Sequence, residues 1–448
     1  MRKTAGRLFG ITTLVTIVVI ISNLYVSDEP NRPLLQYSGI LAISAMSIAM
    51  VLATRARWLE VYTGGLDKGY HLHKWLGITT LIGAVFHWTM SEFPELFGAS
   101  EEEDEDGDED GEGEEGSFDF SEIDYTSVEG FLESFESPAH TFGEYAFYAI
   151  ILLILIALIK RIPYHIFRMT HKIIPIFYLA LAFHAVILMK FEYWITLTGP
   201  LTAALLIAGS YSAILILLGF KGKAAKCKGT IALIQEHTAM NTVEVVIEPS
   251  TKWQGHHSGQ FAFLTLNNNK EPHPFTISSA WNLDFPHISF TIKSLGDYTN
   301  NLRKNISVGD SVTIEGPYGH FNFACSNNKQ IWIAGGIGIT PFLAQLEFLA
   351  KHGNNKSIDL FYVAKDIDVE FIENLERLSQ KAEVTLHHFT NNNNARLRTE
   401  DIQQRLPEWR TASVWFCGPK GLGDMLQSDL QKGGLSAQNF HREIFDLR

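Results

Sequence analysis

The chain has 448 residues, a net charge of −13, 46% hydrophobic residues and three cysteines, Cys227, Cys325 and Cys417. That length admits a membrane domain and about two soluble domains, and the scattered cysteines exclude a disulfide framework, a zinc site and an iron–sulfur cluster. The negative charge is local: residues 91–140 hold 20 carboxylates and no Lys or Arg, and taking those 20 from the −13 leaves the remaining chain at +7.

Six apolar stretches are long enough to span a bilayer, near 8–26, 34–54, 71–91, 141–159, 170–189 and 197–220. The first also has the basic start of a signal peptide, but Ser22-Asn23-Leu24-Tyr25 offers no small-x-small cleavage site, so it is read as an uncleaved span. Basic residues set the orientation. The N-terminus (Arg2, Lys3, Arg7), the second loop (Arg55, Arg57, Lys68), the fourth (Lys160, Arg161, Arg168, Lys172) and the segment after the last span (Lys221, Lys223, Lys226, Lys228) hold 14 of them. The alternate loops hold two, Arg32 and Lys190. Both termini are therefore expected in the cytoplasm and the acidic loop outside.

Four histidines lie within these stretches as two pairs, His73 with His87 and His171 with His184. Imidazoles are costly inside a membrane and mark function there. Spacings of 14 and 13 residues separate the members of each pair by about 20 Å at a rise of about 1.5 Å per residue. Both helices run outward, so His73 and His171 share the inner depth and His87 and His184 the outer. Two facing helices of this kind can hold two haems, each iron taking one imidazole from each helix. A spacing of 14 returns nearly to the same helix face, whereas 13 does not. Pro175, four residues after His171, removes a helical hydrogen bond, and a kink is expected there. His71 competes with His73, but its 16-residue distance from His87 puts it on the opposite face. Arg57, Lys74, Arg161, Arg168 and Lys172 are placed to pair with propionates as well as to set orientation, and Phe177 falls midway between the two depths.

Beyond about Lys223 the apolar runs shorten and alternate. Thr242–Ile247, Phe261–Leu266, Ile288–Lys293 and Val312–Glu315 read as strands of a small antiparallel barrel. After about residue 327 strands alternate with helices, as in a parallel α/β domain. Its first unit, Gln330-Ile-Trp-Ile-Ala-Gly-Gly-Ile-Gly-Ile-Thr-Pro341, runs into a helical Phe342–Ala350. Glycines at a strand-to-helix turn let backbone amides reach a pyrophosphate, and Pro341 suits a first helical turn.

His273-Pro-Phe-Thr-Ile-Ser-Ser279 resembles the flavin-binding motif of the ferredoxin-reductase-like dehydrogenases attached to NADPH oxidases and ferric reductases. Lys293-Ser-Leu-Gly-Asp-Tyr-Thr299 is similar to their FAD-phosphate segment and Gly316-Pro-Tyr-Gly319 to their barrel-end motif. Gly335–Pro341 and Phe416-Cys-Gly-Pro419 resemble their nicotinamide-nucleotide motifs, and the 14- and 13-residue spacings resemble their haem ligands. The resemblance covers nearly the whole chain. It implies a multi-domain protein: a six-helix transmembrane bis-haem bundle over residues 1–222 with an acidic outer loop at 92–138, an antiparallel β-barrel FAD domain over 223–326, and an α/β NAD(P)H-binding domain over 327–448.

It also implies roles. His273, Pro274, Phe275, Thr276 and Ser278 would shape the flavin site, with the Thr276 hydroxyl at the isoalloxazine edge. Lys293, Gly296 and Thr299 would meet the FAD phosphates. Gly335, Gly336, Gly338, Thr340 and Pro341 would cradle the dinucleotide, with Cys417, Gly418 and Pro419 near the hydride path. Phe445 would stack on the flavin. Lys365 resembles a position that pairs with the 2′-phosphate of NADPH, although Asp366 beside it favours the free ribose of NADH. His73, His87, His171 and His184 would ligate haem iron. Electrons would run from cytoplasmic NAD(P)H through FAD and two b-type haems to an extracytoplasmic acceptor, in a bacterial inner membrane.

The acceptor stays open among ferric iron or another metal, oxygen, and a periplasmic protein. Eukaryotic NADPH oxidases carry a second histidine one turn beyond the outer ligand and an arginine near the outer end of the second helix. Ser91 stands at the first position here, and Arg32 is the candidate for the second. The acidic run Glu101–Asp110 would concentrate cations outside, or serve as a solvated insertion. Asp106, Asp108, Asp110 and Gly111 imitate half an EF-hand, but Ser117 replaces the closing Glu, which excludes one.

Overall fold

Helices follow the apolar stretches, and the polar residues among them decide how they pack. The computed structural model describes residues 32–97, 128–159, 161–250, 252–266, 271–365, 368–390 and 397–442, with scattered positions between 10 and 21. The expected span at 8–26 and the acidic run therefore lie mostly or wholly outside the described residues. Two compact units form: Met1–Leu59 with Lys68–Lys221, and Glu60–Asp67 with Gly222–Arg448.

The longer helices of the first unit are α1 (Arg32–Ala53), α2 (Arg57–Thr63), α3 (Leu66–Glu92), α4 (Glu136–Leu158), α5 (Tyr164–His171), α6 (Ile174–Leu188) and α7 (Thr198–Leu217), with parts of α2 and α3 counted in the second unit. Among the described residues, four segments are long and apolar enough to cross a membrane: Leu34–Ala53, Glu136–Leu158, His165–Leu188 and Thr198–Leu217. α3 has the length, at 27 residues. It falls outside that set because Asp67, Lys68, His71, His73, Lys74 and His87 dilute its apolar content. The expectation of six spans is met by four described segments, and the reason lies partly in the histidines that make α3 useful.

The helix break expected near Pro175 is present. α5 ends at His171, α6 begins at Ile174, and Pro175 occupies the first turn of α6. Proline lacks the N–H and crowds the carbonyl four residues back, so the chain restarts instead of continuing. His171 and His184 thus belong to different helices, and the 13-residue phase no longer applies. Inside the bundle, Ile43, Met46 and Met50 of α1 pack with Ile150 and Leu153 of α4, Tyr178 and Ala182 of α6 and Leu206 of α7. Tyr178 is fully buried, with its hydroxyl 2.8 Å from Ser47 Oγ. Gly209 of α7 makes room for it: a Cβ there would lie 2.0 Å from the Tyr178 hydroxyl. Small residues and interhelical hydrogen bonds are what hold helices together where lipid removes the hydrophobic advantage.

The second unit holds two sheets. Strands β1 (Lys226–His237), β2 (Thr242–Pro249), β3 (Phe261–Leu266), β4 (His273–Thr276), β5 (Ile288–Lys293) and β6 (Ser311–Tyr318) form an antiparallel sheet in the order β4-β3-β6-β1-β2-β5. Just past β4, Ser278 N–H donates to Ser289 O of β5 at 2.8 Å, which links the two edges and curls the sheet into a barrel. Ile247, Ala262, Leu264, Ile277, Ile288, Phe290 and Ile314 fill its interior. Two strands escape the alternation pattern. β1 alternates only over its first half and is then interrupted by a bulge between Ile231 and Leu233. β4 contains Pro274, which an edge strand tolerates because one side of its backbone needs no partner.

β7 (Lys329–Gly335), β8 (Ser357–Ala364), β9 (Val384–Thr390), β10 (Ser413–Cys417) and β11 (Phe440–Arg442) make a parallel sheet in the order β11-β10-β7-β8-β9. Trp332, Leu360, Tyr362 and Trp415 pack on one face, beneath α8 (Thr340–His352) and α9 (Val369–Lys381). Ile331, Ile333, Phe361, Val414 and Phe416 pack on the other, beneath α10 (Lys420–Lys432). Within that second face Asp359 is buried, accepting from Lys329 Nζ at 2.5 Å and His387 Nε2 at 2.8 Å. Burial alone would raise its pKa, but the bonds from His387 and Lys329 outweigh burial and hold the carboxyl below its ordinary value. A depressed carboxyl pKa contributes stability above the unfolded pKa of about 3.9 and loses it as pH falls through the folded value. Asp359→Asn should therefore destabilise this sheet by about 3 kcal/mol at neutral pH. Hydrogen exchange of β7–β9 in the full-length chain measures it, and the gap to wild type should narrow below about pH 4.

Candidate functional site

In the membrane unit the expected ligands meet in pairs. The rings of His73 and His171 are centred 6.0 Å apart, and those of His87 and His184 6.4 Å apart. Metal–imidazole bonds of about 2 Å, with the ring radius added on each side, would let two imidazoles about 6 Å apart, centre to centre, share one iron. Three of the four rings are also oriented. His73 Nδ1 donates to Ala49 O at 2.9 Å, His87 Nδ1 to Leu35 O at 3.0 Å, and His184 Nδ1 to Ala139 O at 3.0 Å. A carbonyl can only accept, so the proton sits on Nδ1 and Nε2 keeps the lone pair a metal takes. His171 Nδ1 is buried with no such partner. His71 packs instead against Trp75, its ring centre 6.5 Å away. The donor set therefore fits haem iron at both depths. Apart from these pairs, no group of three His, Cys, Asp or Glu side chains among the described residues is arranged to hold a metal ion.

Glycines provide the space. A Cβ on Gly143 of α4 would lie 2.0 Å from His184 Nδ1, and one on Gly39 of α1 would lie 3.0 Å from His87 Cε1. Gly143→Ala must push the His184 ring aside, and the bond to Ala139 O holds it where the clash is worst. On a haem-binding reading of the couples, loss of haem from His87–His184 with retention at His73–His171 is expected, read as a halving of the haem-to-protein ratio by pyridine haemochrome. An unchanged ratio would mean that α4 yields instead. One histidine escaped the sequence reading: His140 of α4, its ring centre 6.2 Å from that of His184. Its only sequence signal is a glutamate four residues to either side, Glu136 and Glu144.

In the second unit, His273, Pro274, Phe275 and Thr276 make up the half-buried edge strand β4. Ser278 is buried and accepts from Thr291 Oγ1 at 3.2 Å, tying the end of the motif to β5. Lys293 closes β5, and the following turn brings its segment to the motif: Tyr298 stacks on His273 with ring centres 3.6 Å apart. The Thr299 hydroxyl accepts from Leu295 and Gly296 N–H at 2.9 and 3.1 Å, so it shapes this turn. Tyr298 had no assigned role from sequence. Nor had His256, whose Nε2–H donates to Ser279 O at 2.9 Å, holding the end of the motif. Burial pushes the pKa of His256 down to about 4, so the ring is neutral at physiological pH.

The nucleotide motifs gather at the C-terminal ends of β7, β8 and β10, the edge where α/β sheets bind ligands. Cys417 pairs with Ala334 across the β10–β7 register, and Gly335 with Val363 across β7–β8. Backbones meet closely there: a Cβ on Gly418 would lie 2.9 Å from Gly335 N, and one on Gly338 would lie 2.2 Å from Cys417 O. Gly336 needs glycine for another reason, since its φ is +56° with open space beside it. Thr340 donates to Ile337 O at 3.1 Å, and Pro341 lies in the first turn of α8. Cys417 is buried, and Pro419 packs against Gly335. Lys365 follows β8 and is exposed, while Asp366 and Phe445 lie outside the described residues.

Residues 38–182 match the family of ferric reductase like transmembrane components, and residues 228–322 match an FAD-binding domain family. The chain is thus a fusion of a segment similar to ferric reductase like transmembrane components with one similar to FAD-binding domains. Ferric reduction oxidase 4 of Arabidopsis thaliana is 41% identical over 92 residues, 20% of this fusion and 13% of the plant protein. The flavohemoprotein of Oceanobacillus iheyensis is 25% identical over 185 residues, 38% of this chain and 46% of that one. The 2-halobenzoate 1,2-dioxygenase electron transfer component of Burkholderia cepacia is 26% identical over 212 residues, 45% and 62% respectively. The fusion thus spans only about half the length of these bacterial relatives.

Proposed function

We propose that the chain is a transmembrane NAD(P)H-dependent oxidoreductase that delivers electrons to an acceptor outside a bacterial inner membrane, with ferric iron or another metal as that acceptor. The observation that carries this reading is the pair of histidine couples, with ring centres 6.0 and 6.4 Å apart and Nδ1 anchored in three of the four rings. When bound, the flavin would turn a hydride pair into single electrons and the haems would relay them.

The residues supply the rest. His73 with His171 would hold the inner haem, and His87 with His184 the outer one. β4 and the Lys293–Thr299 turn would hold FAD, with Thr276 at the reacting edge. Gly335, Gly336, Gly338 and Thr340 would admit the pyrophosphate to the start of α8. Cys417, Gly418 and Pro419 would border the nicotinamide, and Lys365 would meet a 2′-phosphate, which favours NADPH over NADH. The dehydrogenase half would lie in the cytoplasm with the N-terminus, as the basic loops require.

Steady-state turnover tests the reading. NADPH-driven reduction of chelated Fe(III) without oxygen, with little superoxide-dismutase-sensitive reduction of cytochrome c in air, is expected. The reverse ratio would make the protein an oxidase producing superoxide. Slow NADPH oxidation with both acceptors would point to a periplasmic protein partner.

A further inference from the structure

Helix α1 carries none of the four histidines, yet it seats both imidazoles of α3. Ala49 O takes the Nδ1 hydrogen of His73, and Leu35 O that of His87. The two carbonyls are 14 residues apart, as are the two histidines, so one face of α1 follows one face of α3. The helices also touch between these points, where a Cβ on Gly83 would lie 3.2 Å from Ala42 Cβ. The seat of His87 has a further part. Ser38 is buried, and its Oγ lies 3.2 Å from His87 Nδ1. Its own hydrogen is committed, donated to Leu35 O at 2.7 Å. What faces His87 is therefore an oxygen lone pair, and the single Nδ1 hydrogen is shared between Leu35 O and Ser38 Oγ. His73 and His184 each donate to a carbonyl, and His171 Nδ1 is buried without a partner.

We infer, on the reading that the two couples hold haem, that Ser38 is a positioning residue that tunes the His87–His184 site. An acceptor on Nδ1–H draws the proton away from the ring and makes Nε2 a stronger donor to the metal. Stronger donation favours the oxidised iron and lowers the reduction potential of the site. Acceptors are unevenly spread: His87 has two and His184 one, whereas His73 has one and His171 Nδ1 none. The His87–His184 site should therefore hold its electron less tightly than the His73–His171 site. That suits the last station before an acceptor, whatever the acceptor is. The exchange there is of one electron, and neither a carbonyl nor a serine hydroxyl takes the Nδ1 proton, so the proton stays on the ring. Leu35 O and Ser38 Oγ together also fix the tilt of the ring, and Gly39 leaves it room, since a Cβ there would lie 3.0 Å from His87 Cε1.

The test uses the full-length protein with haem and FAD in lipid nanodiscs, titrated spectroelectrochemically. The wave that is missing from His184→Ala identifies the His87–His184 site. Ser38→Ala should move that wave to higher potential. At the poise where the wild-type site is half reduced, the variant should hold about threefold more reduced than oxidised haem. The other wave, the haem content and the rate of flavin reduction by NADPH should not change. Ser38→Thr keeps an acceptor oxygen and should leave the wave at its wild-type position. An unmoved or lowered wave in Ser38→Ala overturns the tuning role, and so does an equal shift in Ser38→Thr, which would trace the change to packing. If Ser38→Ala loses haem, Ser38→Thr decides: a site retained at the wild-type potential supports the role of the hydroxyl, and loss there too overturns it. A wild-type protein that binds no haem overturns the reading of the couples and this inference with it.

Discussion

His184→Ala is expected to yield a protein with one haem instead of two, in which NADPH still reduces the flavin but no electron reaches an acceptor outside. Each proposed iron takes one imidazole from α3 and one from the α5–α6 pair, and the His87–His184 couple is the proposed outer site. Removing one ring leaves His87 with Nε2 unopposed, with the His140 ring beside the vacated position. The haem-to-FAD ratio should fall from two to one by pyridine haemochrome. Reduction of a membrane-impermeant acceptor by proteoliposomes should drop to background, while stopped-flow flavin reduction stays within about twofold of wild type. His87→Ala should behave alike. Outside transfer that survived either change would sink the two-haem path.

The second large effect is expected in the nucleotide site. Gly338 lies where the turn after β7 crosses the end of β10, and an added Cβ would stand 2.2 Å from Cys417 O, 2.5 Å from Cys417 C and 2.8 Å from Gly418 N. All three are backbone atoms, so no side chain can swing away. Gly338→Ala must separate the β7 turn from Cys417–Pro419, at a packing cost of about 1–3 kcal/mol. The first segment is proposed to admit the pyrophosphate and the second to border the nicotinamide, and a displacement of about 1 Å in a reacting geometry costs roughly 10²-fold in rate. Flavin reduction by NADPH should slow by about that factor, whereas dithionite should still reduce the haems at the wild-type rate. A slowing of less than threefold would show that the close approach does not position the hydride donor.

How much of this was legible in the sequence depends on the range of the interaction involved. Strands β2, β3 and β5 follow from their own alternation, and the β7-to-α8 turn from its glycines and Pro341, because the signal and the structure lie in the same short segment. β1 and β4 were not legible as strands. The bulge in β1 breaks its pattern, and Pro274 argues against a strand until β4 is known to be an edge. Tyr298 on His273 and His256 on Ser279 join residues 25 and 23 positions apart, and no local pattern announces either contact.

The histidines divide in the same way. Composition and spacing alone singled out His73, His87, His171 and His184, because a polar ring in an apolar run is costly wherever the run ends up. Helix phase preferred His73 to His71, and Pro175 marked a break, since both depend on covalent geometry and neighbours within a few residues. Only the tertiary structure decided the rest. It brought the couples to 6.0 and 6.4 Å, turned three rings by bonds to carbonyls of other helices, and emptied space beside His184 at Gly143. It also set His140 beside His184. Those are through-space relations between separate helices, fixed by packing, and the order of residues along one helix does not contain them.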